Sequence, residues 1–170
     1  MATLLSVHGV SPAYGEGCWF APTSTLVGQV TLGDDCTVWF GAILRGDVCS
    51  IRVGNKTNIQ DGVVIHGTYQ KSDTIIGDEV SIGHGAVIHG CTIHDQVLVG
   101  MKAVIMDHAV VESNVVIGAG AVVLEGAHLE SGYVYAGVPA KWIKPLDETA
   151  KSWHITRTAA AYLKYASWYK

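Results

Sequence analysis

The sequence predicts a mainly β protein, a parallel β-helix of about seven triangular coils followed by one C-terminal α-helix. Aliphatic residues recur every six positions over most of the chain, and glycine often follows them directly. A period of six fits neither a helix nor an amphipathic strand, but it suits short strands joined by tight turns into a prism. The last part of the chain instead has the apolar spacing of an amphipathic helix.

The six-residue repeats run through the chain in order, with two interruptions. Hexads begin at Tyr14, Phe20, Leu26, Leu32, Val38 and Leu44. Residues 50–52 interrupt the repeat, and hexads begin again at Val53, Ile59 and Ile65. A polar loop at about residues 68–74 shifts the frame before the hexads at Ile76, Ile82 and Ile88. An unbroken run follows over residues 93–140: IHDQVL, VGMKAV, IMDHAV, VESNVV, IGAGAV, VLEGAH, LESGYV and YAGVPA.

The repeat also predicts how each hexad is oriented. Position 1 should point into the prism, and glycine at position 2 should permit an unusual backbone φ at a corner. Three hexads would close one coil, and successive coils would stack about 4.8 Å apart through strand hydrogen bonds. Periodicity alone does not determine the hand of the coil.

Two structural units are expected, a β-helix over residues 1–146 and a helix over residues 147–170. Pro139 and Pro145 end the repeat, and the helical pattern begins at Asp147. We expect this helix to bury its apolar face against the prism or a neighbouring subunit. That face comprises Trp153, Ile155, Ala159, Tyr162, Leu163, Ala166 and Tyr169.

Composition excludes several classes of protein. The net charge is −4 with neutral histidines, so nucleic acid is not an expected partner. The chain has no apolar run of the length needed to cross a membrane and no pattern of a signal peptide, so we expect a cytoplasmic protein. The four cysteines form no CxxC pair, so free thiols are expected rather than a zinc finger.

Three histidines stand out once the hexads are grouped in threes. His66 and His89 both occupy position 2 of the third side, one coil apart, so they should stack in one column at a distance that suits two ligands of one zinc ion. Arg45 occupies the same column one coil earlier. His84 belongs to another side, next to Asp61, and could reach only a metal held by a neighbouring chain. A cyclic trimer would then have three sites of three histidines, each with an open position as in catalytic zinc sites.

The chain resembles the γ-class carbonic anhydrase family of hexapeptide-repeat proteins, in particular its shorter bacterial members. The resemblance is carried by WFGAILRGDVCSIRVGNKTNIQDGVVIHGT (39–68), VSIGHGAVIHGCTIHDQVLVGMKAVIMD (80–107) and YAGVPAK (135–141). It implies a left-handed β-helix with a C-terminal helix, a homotrimer with metal at the subunit interfaces, and reversible hydration of carbon dioxide to bicarbonate by zinc-bound hydroxide.

The resemblance also implies roles for individual residues. It matches His66, His84 and His89 to the metal ligands, with His84 from the adjacent subunit. Zinc is the expected metal, although iron(II) or cobalt(II) would suit imidazole ligands as well.

Further polar residues match the surroundings of the family's metal. Arg45 and Asp47 match an interfacial pair, with Arg45 expected to contact Asp47 across the interface. Gln60 and Asp61 match a polar pair near the metal-bound solvent, where Gln60 would orient a ligand and Asp61 would fix a partner. Tyr162, or alternatively His94, is a candidate for carrying the proton released by the zinc-bound water.

Two departures from the family pattern leave the activity open. Val48 stands where the active archetype has a glutamate, and the loop GTYQKSD after His66 lacks the archetype's acidic insertion. Without a placed proton carrier, proton transfer could limit the rate of hydration. The alternatives are a metal-dependent hydrolase such as a thioesterase, an acyltransferase of the hexapeptide-repeat type, and a non-catalytic trimer.

Overall fold

In the computed structural model, which describes residues 1–169, short strands wind into a left-handed parallel β-helix of about seven turns. The predicted fold class is therefore confirmed. The strands are β1 Thr3–Leu5, β2 Ala13–Tyr14, β3 Trp19–Phe20, β4 Thr25–Leu32, β5 Thr37–Val38, β6 Ile43–Val53, β7 Asn58–Ile59, β8 Val64–His66, β9 Thr74–Ile76, β10 Ser81–Ile82, β11 Val87–His89, β12 Thr92–Ile93, β13 Leu98–Val99, β14 Val104–Ile105, β15 Val110–Val111, β16 Val116–Ile117, β17 Val122–Val123, β18 His128–Leu129, β19 Tyr133–Ala136 and β20 Lys141–Pro145.

The strands stack into three faces of a prism. The first face contains β9, β12, β15 and β18, and the third contains β8, β11, β14 and β17. The second face contains β3, β5, β7, β10, β13, β16 and β19, with β20 added antiparallel to β19 at its end. The long strands β4 and β6 bend at a corner, so each contributes to both the first and the third face.

The residues at position 1 fill the interior of the prism. Every position 1 residue from Leu26 to Tyr135 is buried, and Ile65, Ile82 and Ile88 have no exposed surface. Tyr14, which begins the first predicted hexad, is instead 49% exposed. The reason is that β2 lies at the end of the solenoid and has a strand neighbour, β4, on one side only.

The predicted reason for glycine at position 2 is wrong. No position 2 residue has a positive φ, and most of the positive φ values in the hexads fall on position 4, at Asp35, Gly41, Lys56, Gly62, Glu79, Gly85, Gln96, Lys102, His108, Asn114, Gly120, Gly126 and Gly132. At position 2 the constraint is space. A Cβ added to Gly100 would lie 2.5 Å from the backbone nitrogen of Ala119 in the next coil. Glycine at position 2 therefore permits close stacking of coils rather than an unusual φ.

The C-terminal segment is helical, as predicted, but it is not one regular helix. Helix α1 spans Glu148–Lys151, a π-helical turn spans Ser152–Thr156, and helix α2 spans Arg157–Ser167. Asp147 caps the start, because its Oδ1 accepts a hydrogen bond of 2.8 Å from the backbone nitrogen of Ala150. The last residue of the predicted unit, Lys170, lies outside the described residues.

The helical segment packs on the second face of the prism. Tyr162 and Ala166 of α2 contact Trp19 and Trp39, which project from that face. Trp153 was expected on the same apolar surface but is 59% exposed. Trp153 lies in the π-helical turn, which takes more residues than an α-helical turn, whereas Ile155 of the same turn is only 1% exposed, so the predicted face is kept in part.

Two expectations drawn from composition can be compared with the structure. The four cysteines are free thiols. Over residues 1–169, none of the helices has both the length and the apolar character needed to span a lipid bilayer.

Candidate metal centre

His66 and His89 lie side by side on the third face of the prism. Strands β8 and β11 pair in parallel with His66 opposite His89. Nδ1 of His66 lies 3.3 Å from Nε2 of His89. Two nitrogens that each lie about 2.0–2.1 Å from a tetrahedral zinc ion are also about 3.3 Å apart. The spacing of the two rings therefore fits two corners of such an ion.

Each of these histidines has an aspartate at its other ring nitrogen. Nε2 of His66 lies 3.2 Å from Oδ1 of Asp47, and Nδ1 of His89 lies 2.7 Å from Oδ2 of Asp107. A carboxylate in this position fixes the tautomer and leaves the opposite nitrogen with a lone pair for a cation. The two nitrogens that do not contact an aspartate are the pair that is 3.3 Å apart.

Asp107 is a residue of the candidate site that the sequence analysis missed. Its Oδ1 accepts hydrogen bonds of 2.5 Å from Ser72 and 2.8 Å from Thr68, both in the loop that follows His66. Burial alone would raise the pKa of Asp107, but the hydrogen bonds from Ser72, Thr68 and His89 hold it well below its usual range. The available signal was a carboxylate in the hexad IMDHAV, one coil beyond the histidine column.

We expect Asp107→Asn to lower the free energy of unfolding by about 1–3 kcal/mol at pH 7, because charge-assisted hydrogen bonds are lost. The folded pKa of Asp107 lies below the unfolded value of about 3.9. Its stabilising contribution is thus complete at neutral pH and is lost as the pH falls below about 4 toward the folded pKa. Urea unfolding at pH 7 and pH 3 should show that the difference in the free energy of unfolding between Asp107→Asn and the unmodified chain is smaller at pH 3. The exposed Glu125→Gln serves as control, and a difference that is constant with pH would contradict this account.

Arg45 and Asp47 form an ion pair within one chain. Nη1 of Arg45 lies 2.6 Å from Oδ2 of Asp47, whereas the pair was expected to form across an interface. Nη2 of Arg45 lies 3.4 Å from Nδ1 of His66. Burial raises the pKa of Asp47, but the hydrogen bonds from Arg45 and His66 outweigh burial and lower it.

The surroundings of His66 favour its neutral form. Burial lowers the pKa of the His66 imidazole, and the nearby Arg45 guanidinium lowers it further, against the opposing effect of Asp47. A histidine binds a metal ion through a neutral imidazole. The His66 ring is therefore kept in the protonation state that a metal ligand requires.

His84 lies on the second face, where three other predicted residues surround it. Nδ1 of His84 lies 2.8 Å from Oδ2 of Asp61, one coil earlier, and Nε2 lies 3.3 Å from the hydroxyl of Tyr162. Like the histidines of the column, His84 thus has an aspartate on one ring nitrogen. The Tyr162 hydroxyl can donate to the other nitrogen, which is the one available to a cation.

Gln60 is committed to contacts within its own chain. It is 4% exposed, its Oε1 accepts from the backbone nitrogen of His84 at 3.2 Å, and its Nε2 donates to Asn58 at 3.0 Å. Gln60 was expected to orient a ligand of the metal. In the structure it instead fixes the backbone that carries His84.

The predicted site residues therefore form two separate groups on one chain. One group holds His66 and His89 with Arg45 and Asp47, and the other holds His84 with Gln60, Asp61 and Tyr162. Within residues 1–169 of a single chain, no three histidine, cysteine or carboxylate side chains come together as a metal site.

Several known proteins are similar to this chain in sequence or in structure. A family model described as "Bacterial transferase hexapeptide (six repeats)" matches residues 90–125. A probable carbonic anhydrase of Methanocaldococcus jannaschii is 46% identical over 145 residues, which cover 85% of this chain and 89% of that protein. The crystal structure of a hexapeptide transferase family protein from Anaplasma phagocytophilum is 35% identical, with a TM-score of 0.94 over 99% of this chain and 98% of that chain.

A plant relative is longer than this chain. Gamma carbonic anhydrase 2, a mitochondrial protein of Arabidopsis thaliana, is 38% identical over 169 residues, which cover 96% of this chain but 60% of the plant protein. The chain therefore spans less than two thirds of that relative.

Proposed function

Because this chain belongs to the γ-class carbonic anhydrase-like family of hexapeptide-repeat proteins, we propose that it catalyses the reversible hydration of carbon dioxide with a bound divalent metal ion. The observation that carries the proposal is the pair of imidazole nitrogens on His66 and His89 that lie 3.3 Å apart and do not contact an aspartate. Zinc suits two such nitrogens, and iron(II) or cobalt(II) would also bind imidazole.

The third ligand in this proposal is His84 of a neighbouring chain in a homotrimer. His84 lies on the second face of the prism, whereas His66 and His89 lie on the third. A threefold axis brings one face of each prism against a different face of the next. All three histidines have an aspartate on one ring nitrogen, which supports a common role for them.

When bound, a divalent ion lowers the pKa of water toward neutrality and so supplies a nucleophile for carbon dioxide. The residues of this chain prepare the site for the ion. Asp47, Asp61 and Asp107 orient the three imidazoles. Arg45 places a positive charge beside the histidine column, where it would favour the bicarbonate anion.

The hydration assay is the direct test of this function. Zinc-loaded, iron-loaded and chelator-treated protein should be compared by stopped-flow measurement of carbon dioxide hydration. We expect a rate above background that depends on the metal and disappears with the chelator. Metal-loaded protein with no rate above background would rule the proposed activity out.

Tyr162 is expected not to carry protons at neutral pH. Burial raises the pKa of the Tyr162 phenol to about 12, and the charge of Asp61 adds to this effect. The phenol thus stays protonated through pH 9. We expect Tyr162→Phe to lower kcat/KM by less than about tenfold, because a phenol that stays protonated takes no part in proton transfer and its contact with Nε2 of His84 would already be replaced by the metal ion. The pH at which the rate is half-maximal should not move. A shift of about one pH unit would instead identify Tyr162 as a proton carrier.

One observation favours hydrolysis of a small acyl ester or thioester as a second candidate function. A groove of about 400 Å³ lies between the second face and α2, beside His84 and Tyr162. Its wall includes the apolar residues Leu98, Met101 and Val116, which could contact an acyl chain. A panel of acyl thioesters assayed with and without chelator would distinguish this activity from hydration of carbon dioxide.

A further inference from the structure

A polar groove of about 800 Å³ lies between β6 and the loop that follows His66. Ser50 and Arg52 line it from β6, where they belong to the three residues that interrupt the hexads. Thr68, Lys71 and Ser72 line it from the loop. The groove is therefore built where the chain departs from its regular repeat, and its volume is that of a small-molecule site.

Two carboxylates line the groove, and both have partners within the chain. Oδ1 of Asp47 contacts His66, and Oδ2 contacts Arg45. Oδ1 of Asp73 accepts from the backbone nitrogen of Ser50 at 2.7 Å, and its Oδ2 lies 3.9 Å from Arg52. Three of the four carboxylate oxygens therefore lie within hydrogen-bond distance of a donor of this chain.

The donors in the groove are largely uncommitted. The Lys71 ammonium has no ion pair with any of residues 1–169, and the Arg52 guanidinium reaches Asp73 only at 3.9 Å. Ser50 is only 5% exposed, and its buried hydroxyl has no hydrogen-bond partner in the described part of the chain. A buried hydroxyl without a partner is costly unless a ligand or water satisfies it. Free donors and two cations favour an anionic ligand rich in acceptors.

The wall of the groove is also the support of the histidine column. Asp47 lines the groove and contacts His66, while Thr68 and Ser72 line it and donate to Asp107. Asp107 in turn holds the ring of His89. A ligand in the groove would therefore lie behind the two histidines, against the residues that orient them.

We propose that this groove binds a small oxyanion, a carboxylate or phosphate group, between Lys71 on the loop and Arg52 on the β-helix. The anion joins the loop to the wall and so holds Thr68 and Ser72 against Asp107. Its binding therefore strengthens metal binding at the His66–His89 column. The binding of the anion stands by itself, and only its effect on the metal rests on the proposed function.

The binding is tested on the metal-free full-length chain by isothermal titration with inorganic phosphate and, separately, with succinate. Sodium chloride at the same ionic strength corrects for screening. We expect one saturable site per chain for at least one of the two anions, and the preferred anion identifies whether phosphate or carboxylate is the ligand chemistry. Lys71→Gln and Arg52→Gln should each weaken binding by at least about tenfold, as for loss of a charge-assisted hydrogen bond. Lys144→Gln, at an exposed lysine of β20, should leave it unchanged.

The proposed site would be overturned if sodium chloride at the same ionic strength abolished the binding of phosphate or succinate. It would also be overturned if Lys144→Gln weakened that binding as much as Lys71→Gln and Arg52→Gln do. Absence of any saturable binding of both anions would do the same, whether or not the protein binds zinc. A protein that binds an anion but no metal would contradict the proposed function and leave the anion site standing. Each failure therefore identifies which of the two proposals is wrong.

The effect on the metal is tested by zinc competition titrations with and without saturating anion. We expect the anion to lower the zinc dissociation constant by several fold, and by linkage zinc should tighten anion binding by the same factor. In Ser72→Ala, which removes one hydrogen bond to Asp107, this factor should fall, and the anion affinity of the variant is measured separately because Ser72 also lines the groove. A factor of one in the unmodified chain, or an undiminished factor in Ser72→Ala, would exclude coupling through Asp107.

Discussion

His84→Ala is expected to abolish zinc binding, although His66 and His89 remain intact in their column. Removing an orienting carboxylate typically weakens a metal site by about 10- to 100-fold, and removing a ligand should cost more than that. Within one chain His84 lies on a different face of the prism from His66 and His89, so its loss should affect zinc binding only if it binds the metal of a neighbouring chain. Zinc content after dialysis and competition titration with a chelator measure the effect. His94→Ala, at an exposed histidine, is the matched control.

Mixed trimers test whether the third ligand comes from another chain. Chains carrying His84→Ala keep His66 and His89, and chains carrying His66→Ala keep His84. Where the two kinds of chain meet, an interface should contain all three histidines and regain zinc binding that neither variant has alone. A His84→Ala protein that binds one zinc per chain with unchanged affinity would contradict the shared site.

Gly100→Ala is expected to destabilise the β-helix by more than about 4 kcal/mol, which is exceptional for a single methyl group. A Cβ at this position would lie 2.5 Å from the backbone nitrogen of Ala119 and 2.6 Å from the backbone oxygen of Ile117. These are main-chain atoms of the next coil, so the clash can be relieved only by separating hydrogen-bonded strands. Urea unfolding followed by circular dichroism measures the loss.

Gly120→Ala separates this effect from that of backbone conformation. Gly120 has a φ of +68°, but nothing lies within 4 Å of an added Cβ. A left-handed residue other than glycine costs about 1–2 kcal/mol, and Lys102 and Asn114 occupy the equivalent position in other coils. The Gly120 variant should therefore be clearly more stable than the Gly100 variant. Equal losses would mean that coil spacing is not what position 2 protects.

The repeat was sufficient to predict the β-helix and the stacking of His66 on His89, because a fixed period turns sequence distance into position on the prism. It did not reveal Asp107, because the contact between Asp107 and Ser72 depends on the path of a loop that lies outside the frame. It also misplaced Trp153, since helical spacing assumes a regular helix and a π-helical turn interrupts this one. Glycine at position 2 was recognised, but distances between coils are needed to identify its cause.

The position of the candidate site along the solenoid bears on where this chain can gain or lose coils. Arg45 and Asp107 mark the two ends of the candidate site along the solenoid, and the coils from β15 onward contribute none of its side chains. In a solenoid each coil interacts mainly with its neighbours, so stability accumulates unit by unit. The far coils are also linked to the site through α2, because this helix follows them in the chain and returns to place Tyr162 beside His84. Inserting or deleting a coil there would therefore also require a different length for the segment between β20 and α2.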